Sequence, residues 1–259
     1  MRVRLGLLLG LCGWALALSM SAPAASSPVP TIHLAGDSTL AEKLPEKRPE
    51  TGWGEPLAAR FRAGSVRVVN HAKNGRSTRT FIEEGRWQAL LDGLRAGDWV
   101  LIQFGHNDES VDKPDRYTPL PDYERNLARF VAEVRARGAT PILLTPVARR
   151  RYDSEGRVQD SHGEYPGRVR ALAAREHVAL IDMERRSQAV LQEAGVEGSR
   201  RLFLQLAPGA HRNYPQGVED NTHFSPLGAR RIAFEFAAAL RATDLALASR
   251  LRKDDDAAP

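Results

Sequence analysis

Trp99-Val100-Leu101-Ile102-Gln103-Phe104-Gly105-His106-Asn107-Asp108 opens on apolar residues that do not alternate with polar ones and closes on a small polar cluster. A strand with one wet face alternates; an uninterrupted short run suits a strand covered on both faces, as in a parallel sheet between helix layers. Similar runs stand on either side of it: Thr31 to Ala35 and Val66 to Asn70 before, Thr140 to Thr145 and Val178 to Asp182 after. Between the third and fourth runs Tyr123, Leu127, Phe130 and Val134 recur at helical spacing, and Gly138 can stop that helix. A last helix starts at Ser225-Pro226, a capping residue followed by a first-turn proline, and carries Ala229, Ala233, Phe234, Ala237 and Leu240 on its inner side. Strand, helix, strand throughout predicts one doubly wound α/β domain.

The domain is expected over residues 26–250. Arg2 and Arg4 precede an uncharged apolar run from Leu5 to about Leu18, and Ala22-Pro23-Ala24-Ala25 supplies small residues at a cleavage position, so residues 1–25 read as a signal peptide. That run is shorter than the roughly 20 residues a membrane-spanning helix needs. Export to a periplasm or out of the cell is the expectation, with no membrane attachment after cleavage. Residues 251–259, ending Asp254-Asp255-Asp256-Ala257-Ala258-Pro259, read as a polar tail.

Composition is that of a globular protein, 42% hydrophobic and 27% charged, which excludes a disordered, collagen-like or multi-span membrane chain. Of the 37 basic residues only 5 are Lys, and no basic block exceeds Arg149-Arg150-Arg151. No nucleic-acid surface is read from that. Cys12 is the only cysteine and falls in the leader, so a disulfide, a Cys nucleophile and a Cys metal site are all excluded from the mature chain.

Polar groups follow three of the strands: Gly36-Asp37-Ser38-Thr39, Asn74-Gly75-Arg76-Ser77 and Gly105-His106-Asn107-Asp108; Asp220-Asn221-Thr222-His223 precedes the last helix. Each alone is an ordinary turn or cap. Together, on a fold that gathers strand ends at one edge, they supply a chemistry. A serine hydroxyl needs an imidazole to take its proton and a carboxylate to fix that imidazole's tautomer. Ser38, His223 and Asp220 fill those roles. The oxyanion of an ester's tetrahedral intermediate needs preorganised donors, assigned to the backbone N–H of Ser38, the backbone N–H of Gly75 and the side-chain amide of Asn107. No metal or organic cofactor is required. A metal-dependent hydrolase built on Asp108, Asp220 and His223, and a carbohydrate-binding protein on a decayed hydrolase scaffold, are the readings outside this chemistry.

Gly36-Asp37-Ser38, Gly75, Gly105-x-Asn107-Asp108 and Asp220-x-x-His223 resemble, in order, the four blocks of the SGNH or GDSL hydrolases. Longer strings, Asn70 to Phe81 above all, with Gln103 to Asp108 and Asn221 to Phe224, are similar to the rhamnogalacturonan acetylesterases of carbohydrate esterase family 12. The resemblance implies a flavodoxin-like three-layer α/β/α sandwich with a five-stranded parallel sheet, and the same triad and oxyanion residues. It implies a secreted esterase removing acetyl groups from an acetylated plant cell-wall polysaccharide. A lipase or acyl-thioesterase, or an acetylesterase acting on another polysaccharide such as xylan, are the alternatives. Thr39 stands where the broader family usually has Leu. Arg76, Arg79 and His106 are candidate substrate contacts, since a pectic backbone carries carboxylates that guanidinium groups can pair; His71, His162 and Arg149 to Arg151 are further candidates near the cleft. Two longer connections, Glu42 to Pro56 and Arg149 to Pro166, are expected to shape that cleft. Oligomeric state is not read from the sequence.

Overall fold

A computed structural model describes residues 29–253 of the chain. The leader and the last six residues of the tail lie outside it. Five parallel strands, β1 (Thr31–Gly36), β2 (Arg67–Asn70), β3 (Trp99–Gln103), β4 (Thr140–Leu144) and β5 (Ala179–Ile181), form one sheet in the order β2-β1-β3-β4-β5. This is the flavodoxin-like order, in which the chain reverses its winding between β1 and β3. Ligands in such sheets sit beyond the carboxyl ends of the strands at that reversal. Ser38 follows β1 and Asn107 follows β3, so the order alone brings them together.

The uninterrupted apolar runs are covered on both faces. Leu34, Leu101, Ile142 and Leu144 join one core with α5 (Met183–Gly198) and α6 (Pro226–Arg241). Ala35, Val100, Ile102 and Leu143 join the other, under α1 (Thr78–Glu83), α2 (Arg86–Gly93), α3 (Leu120–Arg135) and α4 (Tyr165–Arg175). Tyr123, Leu127, Phe130 and Val134 are the buried stripe of α3, and Gly138 after it takes a φ of +70°, where a side chain is disfavoured. Ser225 caps α6, its Oγ accepting the Gly228 N–H at 3.1 Å. The inner side of α6 differs from expectation in one place. Phe236 is buried and Phe234 is not, because at 100° per residue Phe236 falls on the line of Ala229 and Phe234 falls well off it.

The sequence reading missed a two-stranded antiparallel sheet, β6 (Phe203–Leu206) with β7 (Val218–Phe224). Asp220 and His223 therefore lie on a strand rather than in a loop before α6. Only Val218 and Phe224, at its two ends, are apolar in β7, so it offers no period for a sequence reading to find. At the other boundary, Leu251 is buried and bridged to Phe61, so it packs with the domain rather than with the tail. None of the described helices is long and apolar enough to cross a membrane.

Candidate active site

The turn after β1 presents Ser38. Leu40 and Ala41 N–H groups donate to the Asp37 carbonyl, and the Thr39 N–H and hydroxyl donate to Asp37 Oδ1 at 2.9 and 2.8 Å. Asp37 is fully buried. A relay of donors ends on it: Trp53 Nε1 to Gln103 Oε1 at 3.0 Å, Gln103 Nε2 to Thr39 Oγ1 at 2.8 Å, then Thr39 to Asp37. Thr39 thus has a role that leucine could not fill. On the other side, His106 Nδ1 lies 3.2 Å from Asp37 Oδ2. Burial pushes His106 down to about 4, beyond what Asp37 restores, so the imidazole is neutral at pH 7. Burial works against the Asp37 carboxylate, but His106 and the Thr39 bonds outweigh it and keep the group ionised.

His223 joins Ser38 to Asp220. Its Nε2 is 2.8 Å from Ser38 Oγ and its Nδ1 is 2.7 Å from Asp220 Oδ2. Burial raises the Asp220 carboxyl, but the His223 ring and the backbone N–H groups of His223 and Thr222 hold it below its usual range. An ionised carboxylate only accepts, which leaves the proton on Nδ1 and Nε2 free to accept from Ser38. The segment carrying Asp220 and His223 is pinned from outside. Arg149 Nη1 donates to Thr222 Oγ1 at 2.8 Å, Arg150 donates from its backbone to Asn221 O at 2.8 Å, and the Thr51 N–H reaches Phe224 O at 3.0 Å. Both long connections therefore reach the site.

Gly75 is the third residue of the turn closed by Arg76 N–H to Lys73 O at 3.3 Å, with φ +78°. The Lys73 N–H donates to Gly36 O at 3.0 Å and ties this turn to the end of β1. Neither the Ser38 nor the Gly75 backbone N–H has an acceptor among the described residues. Asn107 is buried, and its Nδ2 donates one hydrogen to Arg76 O at 3.0 Å. The second amide hydrogen remains for a ligand.

The candidate substrate contacts are bonded within the protein, Arg151 apart, which is exposed. His106 is buried against Asp37 and His162, not open to a ligand. Arg76 forks onto Glu84 at 2.9 and 3.0 Å. Arg79 donates to Pro114 O at 2.9 Å and Tyr117 O at 3.2 Å, and also meets Glu83. Arg149 pairs with Glu109 at 2.7 Å, as does His162. His71 lies 3.0 Å from the ring of His33. The sequence reading also passed over Lys43 and Glu50, a buried ion pair at 2.8 Å. Lys43 Nζ donates to the Ser38 carbonyl and, at 3.0 Å, to Asn74 Oδ1, and Glu50 Oε1 lies 3.9 Å from His223 Nε2. Both sit in an irregular connection, where no period marks a residue as buried.

Asp108 is buried beside Asn107, its Oδ1 accepting the Thr78 N–H at 2.9 Å and hydroxyl at 2.6 Å, its Oδ2 without a partner. Burial pushes its carboxyl up to about 7. The folded state then keeps a proton that the unfolded chain loses above about pH 4. The stability this contributes is fully present below that pH and is lost as pH rises through about 7. Asp108→Asn is expected to gain stability relative to wild type between about pH 4 and 8, read by urea denaturation across that range. A difference that stays constant with pH would refute the assignment.

Ser38, His223 and Asp220 thus stand in one hydrogen-bonded line at the switch point of the parallel sheet, with N–H donors of Ser38, Gly75 and Asn107 left for a ligand. The sequence profile of the GDSL-like Lipase/Acylhydrolase family matches residues 34–231, and the chain belongs to that family. It is a carboxylic ester hydrolase. The rhamnogalacturonan acetylesterase RhgT of Bacillus subtilis is 44% identical over 202 residues, 78% of this chain and 85% of that protein. The probable rhamnogalacturonan acetylesterase YesY of the same organism is 37% identical over 224 residues, 86% of this chain and 98% of that protein. Among solved structures, YxiM of B. subtilis superposes with a TM-score of 0.70 at 27% identity, over 82% of this chain and 56% of that one. The acetylxylan esterase Axe2 of Geobacillus stearothermophilus shares the fold at a TM-score of 0.59 and 21% identity, over 82% and 96%.

Proposed function

We propose that the protein is an exported serine acetylesterase that removes acetyl groups from rhamnogalacturonan through an acetyl-serine intermediate. The observation that carries the mechanism is His223, with Ser38 Oγ at 2.8 Å on one ring nitrogen and Asp220 at 2.7 Å on the other. Ser38 Oγ attacks the acetyl carbonyl carbon while His223 Nε2 takes its proton. The carbonyl oxygen gains the negative charge among the Ser38 N–H, the Gly75 N–H and the Asn107 amide. Collapse breaks the bond to the sugar oxygen, which leaves with the proton from His223. Water, deprotonated by the same imidazole, then attacks the acetyl-serine carbonyl; the bond to Ser38 Oγ breaks, that oxygen takes the proton back from His223, and acetate leaves.

The names of RhgT and YesY support the pectic substrate. A cleft of about 730 Å³ opens beside Lys73, the first residue of the turn that carries Gly75; its wall mixes Arg48, Lys73 and Arg86 with Leu44, Pro45 and Ala89, and none of Ser38, Gly75, Asn107, Asp220 and His223 lines it. Lys73 is exposed there without an acidic partner among the described residues. Export follows from the composition of residues 1–25. The test is acetate release from acetylated rhamnogalacturonan beside acetylated xylan and long-chain acyl esters, with Ser38→Ala as blank. Release is expected to favour rhamnogalacturonan and to vanish in the variant. Preference for xylan would move the substrate within the acetylesterases; a maximum on long acyl chains would make the protein a lipase.

A further inference from the structure

Asn107 can serve the oxyanion only if its amide faces the right way. Oxygen and nitrogen of a carboxamide are nearly the same size, so its orientation is set by its neighbours rather than by shape. On one side stands an acceptor, Arg76 O, at 3.0 Å from Nδ2. On the other stands a cation, Arg116, whose Nη1 donates to Asn107 Oδ1 at 3.3 Å. Turning the amide over would set Oδ1 against the Arg76 carbonyl and the NH₂ group against the guanidinium, two repulsions for two attractions. It would also aim a carbonyl oxygen at a developing oxyanion.

Arg116 is held for this position. Its Nη1 is 3.4 Å from where a Cβ on Gly75 would stand, so the guanidinium rests beside both non-serine donors. Its Nε is buried without a hydrogen-bond partner, and Asp115, the acid nearest to it, is 3.6 Å away and largely exposed. The segment that carries it is fixed on both flanks. Arg79 donates to the carbonyls of Pro114 and Tyr117, and Thr118 N–H donates to Asp108 O at 2.9 Å.

We propose that Arg116 is a positioning residue for the oxyanion hole, fixing the Asn107 carboxamide with its N–H toward the reacting carbonyl. This rests on the esterase reading of the site. The test uses 4-nitrophenyl acetate, a neutral substrate with no carboxylate for Arg116 to bind. Arg116→Met, which keeps length and removes the donors, is expected to lower kcat by about 10- to 100-fold with KM little changed. Arg116→Lys should recover part of the loss, as should guanidinium ion added to the Met variant. In an Asn107→Ala background the Arg116 substitution should have no further effect, since nothing is left to orient. Folding is followed by circular dichroism in each variant.

Wild-type kcat in Arg116→Met overturns the proposal, as does an undiminished further loss in the Asn107→Ala background. A loss confined to KM on the acidic polymer overturns it too and makes Arg116 a substrate contact instead. If wild type shows no hydrolysis that Ser38→Ala abolishes, the esterase reading has failed and takes this one with it. If that hydrolysis is present, only the role of Arg116 is at stake.

Discussion

Ser38→Ala is expected to lower kcat/KM for acetyl esters by about 10⁴- to 10⁶-fold, with the thermal midpoint near that of wild type. In the proposed mechanism this hydroxyl forms the covalent bond, and its partner is His223 Nε2 at 2.8 Å. Removing it leaves the donors and binding surface intact, so the residual rate reports what they achieve alone. Asp220→Asn should fall by about 10⁴-fold for a different reason. The amide can donate to Nδ1, which moves the ring proton to Nε2 and leaves no base facing Ser38. Steady-state rates on a small acetate ester check both. Activity within about tenfold of wild type in Ser38→Ala would remove the serine mechanism.

Lys43→Met is expected to destabilise the protein by about 3–5 kcal/mol, because it leaves the Glu50 carboxylate buried without its partner. The side chains are 0% and 8% exposed and 2.8 Å apart. Burial lowers the lysine's pKa and Glu50 opposes that shift. Lys43→Met combined with Glu50→Leu should recover much of the loss, since a buried ion pair as a whole contributes little against apolar residues of similar volume. Urea denaturation of the single and double variants measures both. A single variant within about 1 kcal/mol of wild type would show the pair to be solvated in practice. Lys43 also donates to the Ser38 carbonyl and to Asn74, so the single variant should lose activity before it unfolds.

The fold was legible because each strand of the main sheet is a short apolar run, and Ser38 and Asn107 because each stands just after such a run; Asp220 and His223 were marked only by their spacing ahead of α6. Three things were hidden, each for a physical reason. β7 is polar along most of its length and takes its conformation from partners such as Arg150 and Thr51 rather than from its own pattern. Arginines were read as substrate contacts from their chemistry alone. What the pattern did not show is that Arg149 and Arg150 hold the segment bearing Asp220 and His223, and that Arg79 holds the loop bearing Arg116. His106 stands next to Asn107 in sequence but points into the interior, because neighbours in a turn face different ways. Adjacency in a sequence says which residues share a turn and not which share a cavity.

Ser38, the proposed nucleophile, follows the first strand of the described chain, while His223, its proposed base, comes 185 residues later. At about 5–20 residues synthesised per second, roughly 10 to 40 s separate the two on a ribosome. All five parallel strands precede Asp220, while α6, which covers one face of their sheet, follows His223. A chain cut short within the connection between β6 and β7 thus carries every strand of the sheet and Ser38, but lacks Asp220, His223 and the helix that buries one face. The strand that carries the proposed base thus runs straight into the helix that closes one core, so the proposed chemistry and the last of the sheet's cover depend on one continuous stretch.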